Sequence, residues 1–434
     1  MSEISAATGA IAPVHASNVR WKLFLLMLLL FSVNYIDRAS LSIAMPIMAK
    51  EFELDPATQG LILSSFFWTY ALMQIPGGAL ADRYKPRIVI TVATMGWGFF
   101  QAAAVVASSW WVLLLTRLGL GVFEGPIGPA CGKLNAMWMT RNERARGAML
   151  FNSGATLGAA LGAIIVAWLI AALDSWRMAF VLAGLGTMLC GWWAWSYIRN
   201  SPRQHPSVNE AEAIHIEQDH VREDAESPVS EGGGLVKFFR YRSVWCMCLG
   251  WMAYNTVFYG LLTWLPNYLS KVHNIDIKTL GGASFIIFFT GFVGQLTGGW
   301  IADFWRTRSD NSNVVYRTMF GISAAITTVS LFSVAYTANL IWTVALLSAT
   351  MFFLTWCGMY WVVPAILAGR NRAGVLGGCM NLFGNFAGIG VPLVVGVIVQ
   401  ATGSYFLALM FFAGAGLTLF VCSTAIDYSR RLPV

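Results

Sequence analysis

The chain has 434 residues, of which 57% are hydrophobic and 11% charged. Soluble domains carry about 25% charged residues, so the composition argues against a string of soluble domains. A net charge of +7 does not point to nucleic acid, because the basic residues sit in short stretches between long apolar runs. The seven cysteines are scattered singly and the five histidines fall in tails and loops. Neither a disulfide framework nor a metal site is expected, and no cofactor.

In chain order, residues 1–20 read as a polar tail. A helix needs about 20 apolar residues to cross a bilayer, and the first half, 21–199, offers six such runs: 22–44, 58–80, 88–107, 111–137, 147–170 and 178–199. A signal peptide is a poor account of the first run, since Asp37 and Arg38 interrupt it and its basic flank begins only at Arg20. Residues 200–242 form the one long polar segment and read as a linker, with the acidic stretch Glu210–Glu226 as a solvated helix. The second half, 243–426, offers 243–266, 279–302, 315–336, 340–366, 373–400 and 404–426, and 427–434 is a closing tail.

Lys and Arg set the orientation. With the N-terminus cytoplasmic, the cytoplasmic stretches hold Arg20 and Lys22, then Arg83, Lys85 and Arg87, then Arg141, Arg144 and Arg146, and so on to Arg430 and Arg431. The other side holds Lys50, Arg177, Lys271 and Lys278. The sequence therefore predicts an all-α integral membrane protein of twelve spans, both termini cytoplasmic, in the plasma membrane (the inner one in a double-membraned cell).

Halving the chain at the linker exposes a repeat. Residues 77–87 read GGALADRYKPR and residues 298–308 read GGWIADFWRTR, aligned without a gap, and the same offset brings Asn34 onto Asn255. Two parallel six-helix halves follow, with a substrate site expected between them near the midplane. Gly78, Asp82, Arg83, Arg87 and Asp303 are candidates for a gating loop at the cytoplasmic helix ends.

A lone ionisable side chain at bilayer depth costs at least about 2.5–3.5 kcal/mol, so it faces the bundle interior and marks a functional site. Four stand out: Asp37 and Arg38 in span 1, and Arg117 and Glu124 in span 4. Arg117 and Glu124 share one helical face about 10 Å apart, whereas the adjacent Asp37 and Arg38 diverge by about 100°. Two structural ion pairs are the plain reading. The functional one is electrostatic: the four charges sum to zero, and protonation of the acids makes the pocket positive and receptive to an organic anion.

Spans 7 to 12 hold no Asp, Glu, Lys or Arg well inside. They offer Asn255, Tyr259, Thr355, Trp356, Tyr360, Trp361, Asn381 and Asn385, which hydrogen-bond hydroxyls or stack on rings. Each is also an ordinary helix-packing or interfacial residue.

GGALADRYKPR resembles the loop motif of the major facilitator superfamily, with Lys85 where that motif usually has Gly. Arg117 followed by Leu-Gly-Leu-Gly resembles its fourth-span motif. More narrowly, NYIDRASLSIAMP (34–46), RLGLGVFEGP (117–126), LLTWLPNYL (261–269) and GGCMNLFGNFAGIGVP (377–392) resemble the anion:cation symporter family. The parallel half-repeat is itself a known feature of the superfamily. The resemblance implies proton-coupled symport of an organic anion, most often a sugar acid, by a transporter expected to work as a monomer. It implies that Arg38 and Arg117 meet the substrate carboxylate or the partner acids, and that Asp37 and Glu124 carry coupling protons. Trp361 and Asn381, with Tyr35 and Tyr70, are expected at the substrate; Asn255, Asn385 and Tyr360 are further candidates. Lys133 lies nearer the helix end and can snorkel.

One departure bears on the substrate. Where sugar-acid members often have Gln after FxxG in span 5, this chain has Ala155 in FNSGATLG. Sugar acids stay ahead, and aromatic or short dicarboxylic acids stay open. Sodium in place of the proton is left open too. An intramembrane enzyme is disfavoured, since no HExxH, GxSxG or metal spacing occurs. A sensor lacks its usual extra domain. An exchanger using phosphate is the nearer rival, because two arginines can clamp a phosphate.

Overall fold

Long apolar runs force the backbone to satisfy its own hydrogen bonds, and the computed structural model, which describes residues 16–140, 143–226, 235–306, 308–309, 311–368, 370–429 and 432, is built of helices joined by short turns. The side chains of Asp82 and Asp303 lie outside what is described, so their predicted gating role has no geometry here.

All twelve expected runs are helical. In the first half they are Val19–Glu51, Pro56–Tyr84, Pro86–Ala103, Trp110–Glu124 continuing as Ile127–Trp138, Arg144–Asn152 continuing as Gly154–Leu173, and Trp176–Tyr197. In the second they are Arg242–His273, Ile277–Arg306, Ser312–Val334, Leu340–Leu354 continuing through a 3₁₀ stretch to Ala368, Arg370–Thr402 and Phe406–Ala425. Ten helices among the described residues are long and apolar enough to cross a membrane. The other two, spans 2 and 7, have 29 and 32 residues but are diluted by polar side chains, such as Gln59, Ser64 and Gln74, and Asn255, Thr263 and Asn267. Of these, Gln59, Ser64 and Asn267 bond across the seam between the halves, and Thr263 lines a cavity there.

Several helix starts are capped as their sequence dictates. Asp55 accepts from Thr58 N at 2.9 Å with Pro56 in the first turn, and Asn311 and Asn339 cap spans 9 and 10. Lys85, joining spans 2 and 3, sits at φ 71°, ψ 149°. Only glycine adopts that region without strain, which explains the residue expected there by resemblance.

The repeat has a packing meaning. A Cβ on Gly77 would fall 2.5 Å from Pro126 Cα, and one on its counterpart Gly298 would fall 2.7 Å from Trp356 Cδ1. In each half the second span therefore presses against the point where the fourth span departs from regular α-helix.

At the end remote from the termini and linker the halves are closed. A Cβ on Gly60 would fall 2.4 Å from Pro392 O, and one on Gly281, which occupies the matching repeat position, 2.5 Å from Ala167 Cβ. Asn267 Nδ2 donates to Gln59 Oε1 at 2.7 Å, and Ser64 Oγ to Ile389 O at 2.8 Å. Towards the terminal face, Gly78 of span 2 and Gly378 of span 11 make no such close contact. Among the described residues a Cβ on Gly78 would reach nothing nearer than Pro129 Cβ at 3.8 Å, and one on Gly378 would meet nothing within 4 Å.

The described first part of the segment between the halves, 200–226, is more ordered than a linker composition suggests. Its helix Glu210–Glu226 forms as expected but is not freely solvated, because Glu212 is fully buried. Glu212 accepts from Ser17 Oγ and from the backbone N–H of Val19 and Arg20, capping span 1 from another part of the chain. Arg20 bridges Glu212 (2.8 Å) and Glu143 (3.0 Å).

Candidate functional site

Span 1 places Asp37 and Arg38 on different faces, and their partners differ accordingly. Arg38 pairs with Glu124 of span 4: Nε lies 2.6 Å from Oε1, and Nη2 contacts the same oxygen. The guanidinium is ringed by aromatic faces, with its carbon 4.7 Å from the Tyr35 and Phe66 centroids, 4.6 Å from Tyr70 and 5.9 Å from Phe67. Such rings stabilise a cation that water cannot reach. Glu124 Oε2 and Arg38 Nη1 are buried without a hydrogen-bond partner among the described residues.

Asp37 points to spans 3 and 6 instead. Close packing of those helices at Gly98 and Gly184 brings Trp97 and Thr187 together, and both donate to Asp37 Oδ2, at 3.0 and 2.8 Å. Among the described residues Arg117 is not paired with a carboxylate. Its Nη2 donates to Gln101 Oε1 at 3.0 Å, and Gln101 Nε2 donates to Ser40 Oγ at 2.7 Å, which itself donates to Asp37 O. The plain expectation of two ion pairs is thus half met: one ion pair forms, and a neutral amide stands in the place of the second.

The four charged residues are brought together with Tyr35 and Tyr70. A small cavity of about 30 Å³ is lined by Arg38 and Arg117 with Ser42, Phe66 and Phe67 on one side and Leu262 and Thr263 of the second half on the other. That is room for about two waters, not for a sugar acid. Tyr259 of the second half closes on Phe67, with centroids 4.8 Å apart.

The residues of the expected uncharged wall differ in their placement. Trp361 is 46% exposed and stands edge-on to Trp251 at 5.7 Å. Asn381 is half-buried on span 11. Asn385 and Asn255 are buried, and Asn255 Nδ2 is committed to Trp251 O at 2.8 Å. Tyr360 is not brought to the site. It is fully buried, with its hydroxyl 2.5 Å from Ser423 Oγ and its ring tilted against Phe320 at 4.8 Å, so it packs the second half internally.

Of the loop residues, Arg87 donates to Trp195 O at 3.0 and 2.8 Å and lies 4.0 Å over the Trp195 ring, tying span 3 to the end of span 6. Arg83 is exposed above the Tyr84 ring, and Gly78 faces Pro129. Lys133 donates to Ala81 O, at the end of span 2. Sequence reasoning missed Trp97, Gln101 and Thr187. Gln101, an amide inside an apolar run, was the one available signal.

The profile of the Major Facilitator Superfamily matches residues 27–392. A hexuronate transporter of Bacillus subtilis (strain 168) is 29% identical over 403 residues, covering 92% of each chain. A probable galactarate/D-glucarate transporter of Escherichia coli (strain K12) is 30% identical over 426 residues, covering 95% of this chain and 93% of that one. Among solved structures, a bacterial homologue of the human lysosomal transporter Spinster, inward-facing and unoccupied, superposes with a TM-score of 0.73 at 18% identity, over 97% of this chain and 100% of that one.

Proposed function

Because the chain belongs to the Major Facilitator Superfamily, it is a multi-pass membrane transporter and not an enzyme, and we propose that it carries an organic carboxylate, a sugar acid first of all, in symport with protons. The names of its relatives, for hexuronate and for galactarate or D-glucarate, support the substrate class. One observation carries the coupling: Arg38, the cation best placed to meet a carboxylate at the seam, is occupied by Glu124.

Substrate and Glu124 compete for one guanidinium. Protonation of Glu124 releases Arg38 to the substrate carboxylate, and loss of the proton returns it. Asp37 acts in the same sense through Arg117. Tyr35 and Tyr70, already on the Arg38 face, flank the carboxylate end, while Trp361 and Asn381 select the rest of the molecule. Since the cavity beside the arginines holds only about two waters, substrate binding requires the aromatic walls to move apart.

With both termini cytoplasmic in the plasma membrane, as the charge bias supports, closure at the remote end supports an inward-facing state. Alternating access then exchanges the Gly60 and Gly281 contacts for contacts at the terminal face. No second subunit is needed for this cycle. Ala155 favours one rival, an aromatic or short dicarboxylic acid, because it removes a side chain that would bond a hydroxyl.

The test is uptake of radiolabelled D-glucuronate and D-glucarate into proteoliposomes with an imposed pH gradient, alkaline inside, at constant sodium. Accumulation that follows the gradient and collapses with a protonophore is expected. Accumulation that follows a sodium gradient instead, or counterflow with phosphate, overturns the reading.

A further inference from the structure

We propose that Gln101 is a positioning residue of the coupling site: a neutral acceptor that holds Arg117 away from Asp37 in this state and yields it to the Asp37 carboxylate in another. The argument rests on the reading of Asp37 as a coupling acid. Three observations converge on it. Gln101 is fully buried and spends both ends of its amide here, accepting from Arg117 Nη2 and donating to Ser40 Oγ. Ser40 is anchored on the Asp37 carbonyl, so the amide is fixed relative to the acid it separates from the arginine. Both separated groups keep unspent capacity, since Asp37 Oδ1 and Arg117 Nε are buried without a hydrogen-bond partner among the described residues.

A buried guanidinium and a buried carboxylate are each other's strongest available partners. An amide oxygen holds an arginine less tightly than a carboxylate does, so Gln101 wins Arg117 only while Asp37 is neutral. The charged and titratable groups facing Asp37 are Arg117 and Glu124 of span 4 and Cys190 of span 6; Trp97 and Thr187 face it as neutral donors. Glu124 is already engaged by Arg38. Among the described groups that face Asp37, Arg117 is therefore the cation free to change partner, and Gln101 is what it changes from.

Trp97 is a built-in reporter, because its indole N–H donates to Asp37 Oδ2. Purified protein labelled with 5-fluorotryptophan gives a ¹⁹F resonance for Trp97, assigned by its loss in Trp97→Phe. Its pH profile is compared in wild type, Gln101→Leu and Gln101→Glu. Gln101→Leu removes the neutral acceptor and frees Arg117 for the Asp37 carboxylate, so the midpoint moves to lower pH, by about one unit or more. Gln101→Glu captures Arg117 permanently and adds a negative charge, so the midpoint moves to higher pH by a similar amount.

Opposite shifts support the proposal, because a loss of packing moves both variants the same way. A common direction, unchanged midpoints or a wild-type resonance that ignores pH overturns it. The experiment needs no substrate. Failure of wild-type uptake to follow a pH gradient sinks the symport reading on its own, while opposed shifts keep the assignment of Gln101.

Discussion

Arg38 and Glu124, 86 positions apart in the chain, form an ion pair whose side chains are 5% and 0% exposed. Span 1 and span 4 are therefore locked through a contact that water does not screen. Breaking such a pair from one side leaves an uncompensated charge and costs about 3–5 kcal/mol. Arg38→Ala and Glu124→Ala should each lower unfolding stability in detergent by that order, and the double variant by clearly less than their sum. Additive losses would show that the two side chains do not stabilise one another.

Transport should separate the acids from the arginines. Glu124→Gln and Asp37→Asn are expected to abolish gradient-driven accumulation while sparing part of substrate counterflow. Arg38→Ala and Arg117→Ala should weaken substrate binding by at least about tenfold, or ~1.4 kcal/mol. Thermal-shift titration with D-glucuronate and D-glucarate checks affinity, and the proteoliposome assay checks coupling. Full accumulation by both acid variants removes them from the coupling scheme.

Lys85 occupies a glycine-like backbone region between spans 2 and 3. Lys85→Gly should raise stability by about 1 kcal/mol by relieving that strain, and Lys85→Val should lower it by at least as much. A denaturation series across the three proteins measures the order. Equal midpoints would mean that the turn carries no strain.

Gly60 lets span 2 touch span 11 at the closed end. In Gly60→Val the new side chain meets the Pro392 carbonyl, so the protein should fold but favour the state open at that end. Asn267, fully buried beneath this contact, reports it. In a background without native cysteines, Asn267→Cys should react with a membrane-impermeant maleimide several-fold faster when Gly60→Val is present. An unchanged rate would show that this contact does not set the equilibrium.

The linker latch should survive mild acid. Burial raises the Glu143 carboxyl, but hydrogen bonds from Arg20 and Thr140 prevail and hold it below the ordinary range. A depressed carboxyl contributes stability above its unfolded pKa, about 4.3, and loses it as pH falls through the lower folded value. Limited proteolysis of the linker should therefore be flat down to about pH 5 and accelerate only below about 4. Glu212→Ala should expose the linker at every pH, because it removes the cap on span 1 as well as an ion pair. Acceleration already at pH 6 would place the latch elsewhere.

Much of the site was legible one helix at a time. Burying charge is so unfavourable that Asp37, Arg38, Arg117 and Glu124 announce themselves inside apolar runs, and the helical repeat alone sends Asp37 and Arg38 to different neighbours. The partners were not legible. Trp97, Gln101 and Thr187 become the surroundings of Asp37 and Arg117 only when spans 3 and 6 pack against each other. Tyr360 shows the converse, since its place in the 3₁₀ stretch of span 10 turns a plausible substrate ligand towards Ser423.

By itself the sequence located the twelve apolar runs, because these follow from the local cost of placing polar groups in hydrocarbon, and it carried the repeat of 77–87 in 298–308. It also confined the charge to one half. Which partner each arginine meets, which end of the seam is closed, and the docking of the linker helix on Arg20 were decided by tertiary structure. Those depend on distances between helices, set by side-chain volume at contacts such as Gly60 with Pro392 and Gly77 with Pro126, and no periodicity along a single helix encodes them.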